Sequence, residues 1–194
     1  INGLVNNAGI RLRKDFNKIK KKDLINIFNT NFFSIFRIMQ IFSEFLIKEK
    51  KSGAVVNISS IAGMFPLPYM PLYNASKAGL SSFSASLTLE YQSVPFVTDF
   101  RLGDFRTNFN KSASKGANIQ ADSSQARAWS QVGRQLDSSP DPIVASRALR
   151  RVLRLRQGGI VYSGGFFQAR IAPLLFRLAP SGILRTVLRY WYRL

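Results

Sequence analysis

The 194-residue sequence contains neither cysteine nor histidine. The first absence excludes disulfides, thiol nucleophiles and thiolate metal sites; the second excludes a catalytic triad or zinc centre that needs an imidazole. Acidic residues are scarce, 10 against 28 lysines and arginines, and none occurs from Ile143 to Leu194. The formal charge of +18 favours polyanions, whether anionic lipid, nucleic acid or a phosphorylated ligand, and by itself says nothing of the fold. No run of about 18 uncharged apolar residues is present, so a spanning helix is not expected, and no signal core with a small-residue cleavage site is found. The chemistry left open belongs to hydroxyls, lysine, carboxylates or a bound cofactor.

What is present looks like one folded domain. Hydrophobic residues make up 46% of the chain, an ordinary globular share, and the length suits one core. Strand and helix patterns alternate, which predicts an α/β fold with a parallel sheet and crossover helices. Strands are expected at Gly3 to Val5, Ala54 to Ile58, Phe96 to Leu102 and Ile160 to Tyr162. Asp23 is the expected cap of a helical stretch that Gly53 stops, Tyr73 to about Ser93 forms a second helix, and Asp141 and Pro142 open a third.

The polar stretch 108–141 reads as a lid containing an amphipathic helix near Ala121 to Leu136. Residues 1–165 are assigned to the α/β domain and 166–194 to a basic amphipathic extension. Near the C-terminus Leu184, Val187, Leu188, Trp191 and Leu194 share one helical face while Arg185, Arg189 and Arg193 share another. Such a helix suits a membrane interface, and equally well packs on its own domain or on a partner subunit.

Tyr73 and Lys77 lie four residues apart where a helix begins, so the ammonium can sit near the phenol and favour its anionic form. Alone, a Tyr-x-x-x-Lys match is common. Here it follows a buried strand and shares the chain with Asn6-Asn7-Ala8-Gly9 after the first strand, Asn31 in a helix, and Ser60 thirteen residues before Tyr73. Together these residues resemble the short-chain dehydrogenase/reductase family, whose single domain is a Rossmann-type sheet.

The resemblance implies roles for the matching residues. Asn7, Ala8 and Gly9 would border the cofactor, Asn31 would hold a water of the proton relay through a local helix distortion, and Ser60 would bind the substrate oxygen. Tyr73 would be the general acid/base, and Lys77 would lower its pKa and hold the nicotinamide ribose. Gly103 and Thr107 match the carboxamide-binding segment, although Leu102 stands where the family usually has proline. The family's glycine-rich phosphate loop is missing, so the chain reads as a partial Rossmann-type sheet lacking the cofactor-loop strands, with about 80 residues expected ahead of Ile1.

The implied activity is an NAD- or NADP-dependent interconversion of an alcohol and a carbonyl. In the family it resembles, the apolar segment of Met64, Phe65, Leu67, Tyr69, Met70 and Leu72 walls the pocket, which favours an apolar or lipid-like substrate; burial of the loop under the lid for packing alone is the other reading. A cytoplasmic location with peripheral contact to anionic membrane completes the expectation, and Ile25 to Leu46 either forms a homodimer or homotetramer interface, as the family implies, or is buried against the sheet. Two other readings stand beside it: an inactive fragment unable to hold the dinucleotide, and a basic polyanion- or membrane-binding module. No metal site and no nucleic-acid motif is recognised.

Overall fold

The computed structural model describes residues 2–91, 94–109 and 123–194. Four strands, β1 (Gly3–Asn6), β2 (Ala54–Ser60), β3 (Phe96–Leu102) and β4 (Gly159–Ser163), form one parallel sheet in the order β1-β2-β3-β4. This is the parallel sheet that the alternating pattern predicted, in the partial Rossmann-type form that the resemblance implied. All seven residues of β2 are buried, as a strand flanked on both edges and covered on both faces requires. Successive side chains point to opposite faces, and the core divides accordingly. Val55 and Val97 join Ile35, Met39 and Leu80 on one side, whereas Val56, Ile58 and Phe100 meet Val152 on the other.

Helices α1 (Lys21–Phe28) and α2 (Ser34–Lys48) are separated by a π-helical turn, Asn29–Phe33. Asp23 is not the cap itself. It sits at the third helical position, where its Oδ2 accepts from the Lys20 amide at 2.9 Å, because its longer reach closes the turn from inside. Nor does Gly53 stop α2: the helix ends at Lys48, Lys50 takes a φ of 50°, and Gly53 instead lets the chain pass against the side chain of Leu46.

Helix α3 (Pro71–Glu90) starts two residues before Tyr73, with Pro71 in the first turn where its missing amide costs nothing. Helix α4 (Ser124–Asp137) falls within the expected lid; residues 110–122 of that stretch lie outside the described residues. Helix α5 (Ile143–Leu155) opens as expected, with the Ile143 amide donating to Asp141 Oδ1 at 2.8 Å.

A second π-helical turn, Phe167–Ile171, leads into α6 (Ala172–Leu178) and α7 (Ser181–Trp191). The expected apolar face of α7 is split. Leu188 and the buried Tyr192 pack with Ala128, Trp129 and Val132 of α4, while Val187, Trp191 and Leu194 remain 55%, 49% and 43% exposed. Contacts also tie the start of the extension to the body: the Gln168 side chain bonds Asp104, and the rings of Phe65 and Phe176 meet edge to face at 5.4 Å.

Gly63 closes the short 3-10 turn after Ser60 where the chain runs against α3; a Cβ there would stand 3.0 Å from the Ala78 amide nitrogen and 3.2 Å from the Lys77 carbonyl carbon. Both neighbours are backbone and cannot turn aside. Gly63→Ala is expected to cost about 1–3 kcal/mol of stability, read as a lowered urea midpoint.

Candidate active site

The C-terminal ends of β1, β2 and β3 converge on a cavity of ≈ 740 Å³, the position at which open parallel sheets bind ligands. Ser60 is the last residue of β2; its Oγ accepts from the Ala62 amide at 3.1 Å and donates to the Leu102 carbonyl at 3.3 Å. Tyr73 and Lys77, one turn apart on α3, are 7% and 4% exposed. The Lys77 Nζ donates to the Ile58 carbonyl at 2.7 Å, which ties α3 to β2. Asn7, Ala8, Gly9, Ser60, Tyr73, Lys77, Gly103 and Thr107 all line this cavity.

Asn31 does not line it. The residue is fully buried in the π-helical turn, where its Oδ1 accepts from the Ile10 amide at 2.8 Å. Its Nδ2 donates to the Ile10 carbonyl at 2.9 Å and to Ser76 Oγ at 3.0 Å. A side chain so fully engaged braces the turn after β1 against α3. Gly9 is drawn in beside it, its would-be Cβ 3.6 Å from both Asn31 Oδ1 and Lys77 Nζ.

The electrostatics differ from the expectation at one point. Burial pushes the Tyr73 phenol above its ordinary pKa, opposed first by the Ser60 hydroxyl and then by the guanidinium of Arg11; the nearby Asp104 adds to the rise. Arg11 is a cation acting on the phenol that the helical spacing did not reveal, and the Lys77 ammonium, one turn along α3, donates to the Ile58 carbonyl. Burial lowers Lys77 itself to about 8, partly offset by the carboxylate of Asp99. Asp99 in turn pairs with Arg101, two residues along β3, at 2.7 Å and accepts from Ser59 of β2.

Several lining residues were not singled out from the sequence: Arg11, Asp104, Phe109, Leu136 and Leu149. Leu149 could have been found from the helical period of α5, but Arg11 and Asp104 sit in turns whose course no local pattern encodes. The apolar loop expected to wall the pocket contributes Leu67 alone among its six named residues. Met70 goes instead to the core, and Tyr69 bonds Ser124 at 2.8 Å, so the apolar wall comes mainly from β3, α4 and α5.

A family model described as short chain dehydrogenase matches residues 1–129. The chain belongs to the short-chain dehydrogenase/reductase family. It is 33% identical over 109 residues to a 3-ketodihydrosphingosine reductase of Bacteroides thetaiotaomicron, matching 55% of this chain and 39% of the relative. It is 30% identical over 139 residues to a very-long-chain 3-oxoacyl-CoA reductase of Macaca fascicularis, matching 61% and 44% of the two chains. The chain therefore spans about two fifths of the length of these curated relatives. A solved short-chain dehydrogenase from Streptomyces avermitilis aligns with all of this chain and 69% of its own, at a TM-score of 0.71 and 25% identity. Among the described residues no group of three His, Cys, Asp or Glu is placed to hold a metal ion.

The Lys77 shift has a measurable sign. Its folded-state pKa of about 8 lies below the ordinary 10.5, so between these values the unfolded chain holds a proton that the native one has released, and stability rises with pH. Between pH 7 and 9.5 the native protein is expected to gain on the order of 2 kcal/mol relative to Lys77→Met. Parallel urea-midpoint profiles for the two proteins would contradict the burial argument.

Proposed function

We propose that this chain carries the catalytic portion of an NAD- or NADP-dependent oxidoreductase that interconverts an alcohol and a carbonyl on an apolar or lipid-like substrate. The observation that carries the proposal is the convergence of Ser60, Tyr73 and Lys77 from a strand end and a helix onto one cavity. The residues fit a nicotinamide riboside: Lys77 uses one of its three donors on Ile58, and Gly9 sets no side chain against the ammonium. Asn7, Ala8, Gly103 and Thr107 would border the same group. When bound, the dinucleotide supplies or accepts hydride.

The chain's own residues do the rest. Tyr73 gives or takes the proton at the reacting oxygen, and Ser60 donates a hydrogen bond to that oxygen as it gains charge. Lys77 is the donor for the ribose hydroxyls, and Arg11 favours the ionised phenol. Asn31 keeps the cofactor-side turn in register with α3. Apolar walls from Phe100, Phe105, Leu136 and Leu149, together with relatives named for long-chain keto substrates, support a lipid-like ligand.

Association with an anionic membrane surface is part of the same reading. Within the described residues no helix is long and apolar enough to cross a membrane. Ile183, Val187 and Tyr190 of α7 are 59%, 55% and 85% exposed beside Arg185, Arg189 and Arg193, the composition of an interfacial helix. Phe33, Phe36 and Ile41, about half exposed along the π-helical turn and α2, support self-association through that surface.

Tyr73→Phe is expected to reduce carbonyl turnover by about 10²–10⁴-fold while cofactor binding persists, followed by dihydronicotinamide absorbance; turnover at the wild-type rate refutes the assignment. In flotation assays the chain is expected to rise with anionic vesicles and not with neutral ones, and Arg185→Glu, Arg189→Glu and Arg193→Glu combined should remove the difference. Equal flotation with both lipids would dismiss the membrane component.

A further inference from the structure

Asp104 is a carboxylate to which the hydride-transfer reading gives no task. It lines the same cavity as Ser60 and Tyr73. Its charge acts on the Tyr73 phenol, on Arg11 and on the buried Tyr192, yet among the described residues it forms no ion pair. Burial holds its carboxyl above the ordinary carboxylate range, opposed first by Gln168 and then by Arg11 and Gln135. A desolvated carboxylate without a paired cation is costly to keep.

The two carboxylate oxygens are used unequally. Oδ2 accepts from Gln135 Nε2 at 2.7 Å and from Gln168 Nε2 at 2.5 Å. Oδ1 accepts from none of the described residues and, unlike the Nε of Arg11, is not sealed from solvent. Holding two glutamine amides needs one neutral acceptor oxygen only, so the clamp by itself does not call for a charge. Three segments fix the direction of the open oxygen. Gln168, in the π-helical turn of the C-terminal extension, also accepts from the Asp104 amide at 2.8 Å and so grips the residue at both ends. Its amide occupies the space that a side chain on Gly103 would need. Gln135 of α4 is held in turn by the Trp191 indole, whose Nε1 donates to its Oε1 at 3.3 Å. A polar group locked in this way within a largely apolar pocket orients a ligand.

We propose that Asp104 is a specificity-determining residue for a substrate with a second hydroxyl, which donates to Oδ1 while the reacting oxygen lies at Tyr73 and Ser60. The proposal deepens the oxidoreductase reading and rests on it for the reacting oxygen. The hydrocarbon of the substrate runs along Leu136 and Leu149. A neutral donor fits better than an ammonium, because Arg11 already acts on the carboxylate and Lys77 lines the same cavity. A plain ketone would leave Oδ1 unmatched, and a site built to bond a hydroxyl discriminates against the analogue that lacks it.

The test is ligand-observed NMR titration of the whole chain, without cofactor, with 1,2-octanediol, 1,3-octanediol, 2-octanol, 1-methoxy-2-octanol and 1-amino-2-octanol. At least one diol is expected to bind about tenfold more tightly than 2-octanol and than the methoxy ether, which keeps the second oxygen and cannot donate from it. The tighter diol gives the spacing of the two oxygens, and the amino alcohol should bind no better than that diol. Asp104→Asn keeps an oxygen for the glutamines and puts a donor nitrogen in place of Oδ1, so it should bring the preference below about twofold. Tyr73→Phe should keep the preference while losing turnover, so that failure of the oxidoreductase reading and failure of the Asp104 assignment are separate results. A preference below about threefold on the unaltered chain overturns the proposal. So does the absence of diol binding at millimolar concentration, tighter binding of the amino alcohol, or a preference that survives Asp104→Asn. The comparison of ligands on the unaltered chain holds even if a variant does not fold.

Discussion

The side-chain amide of Asn31 joins backbone 21 residues before it to a helix 45 residues after it, and the rest of the site is arranged around that brace. Both donors and the acceptor are engaged, so rotating or removing the amide leaves half-buried backbone groups of Ile10 without partners. The π-helical turn is part of the arrangement, since the extra residue in its coil brings Asn31 into the interior between α1 and α2. Ser76, which receives the third hydrogen bond, itself donates to the Tyr73 carbonyl at 2.8 Å. One amide thus connects the turn that would face a cofactor with the first turn of the helix that presents the phenol.

Below the cavity floor a second polar layer keeps charge in place. Asp99 is held by Arg101 and Ser59, and Arg101 reaches Tyr162 at 3.1 Å, so the carboxylate is fixed across three strands. Its field supports the Lys77 ammonium, which burial alone would discharge further. The phenol, by contrast, is supported from above by Arg11 and from the strand end by Ser60. Arg11 is thus a second cation at the site, beside the Lys77 that the helical spacing pointed to.

The sheet was legible because each strand has an apolar stretch with a glycine, proline or asparagine at or beside one of its ends, and Phe96–Leu102 has the extent expected of it. The site was legible to the extent that side chains one turn apart share a helix face: Tyr73 and Lys77 enter the cavity together, and Ser60 faces them from the end of β2. The boundaries of α1 and α2 were less so, since Asp23 acts from inside the helix and Gly53 relieves a packing contact with Leu46. Arg11 and Asp104 were invisible for a different reason. Each lies in a turn after a strand, where the direction of a side chain depends on elements far along the chain that no local period records.

The absence of acidic residues beyond Ile143 bears on how the last helices are retained. Arg170, Arg177, Arg185, Arg189 and Arg193 have no carboxylate of their own segment to neutralise them, so mutual repulsion opposes the apolar seam of Leu188 and Tyr192. Mobile counterions weaken that repulsion over a Debye length of about 8 Å at physiological ionic strength. Dissolved salt is therefore expected to act as a fastener here, favouring the packing of Leu188 and Tyr192 against α4 as its concentration rises.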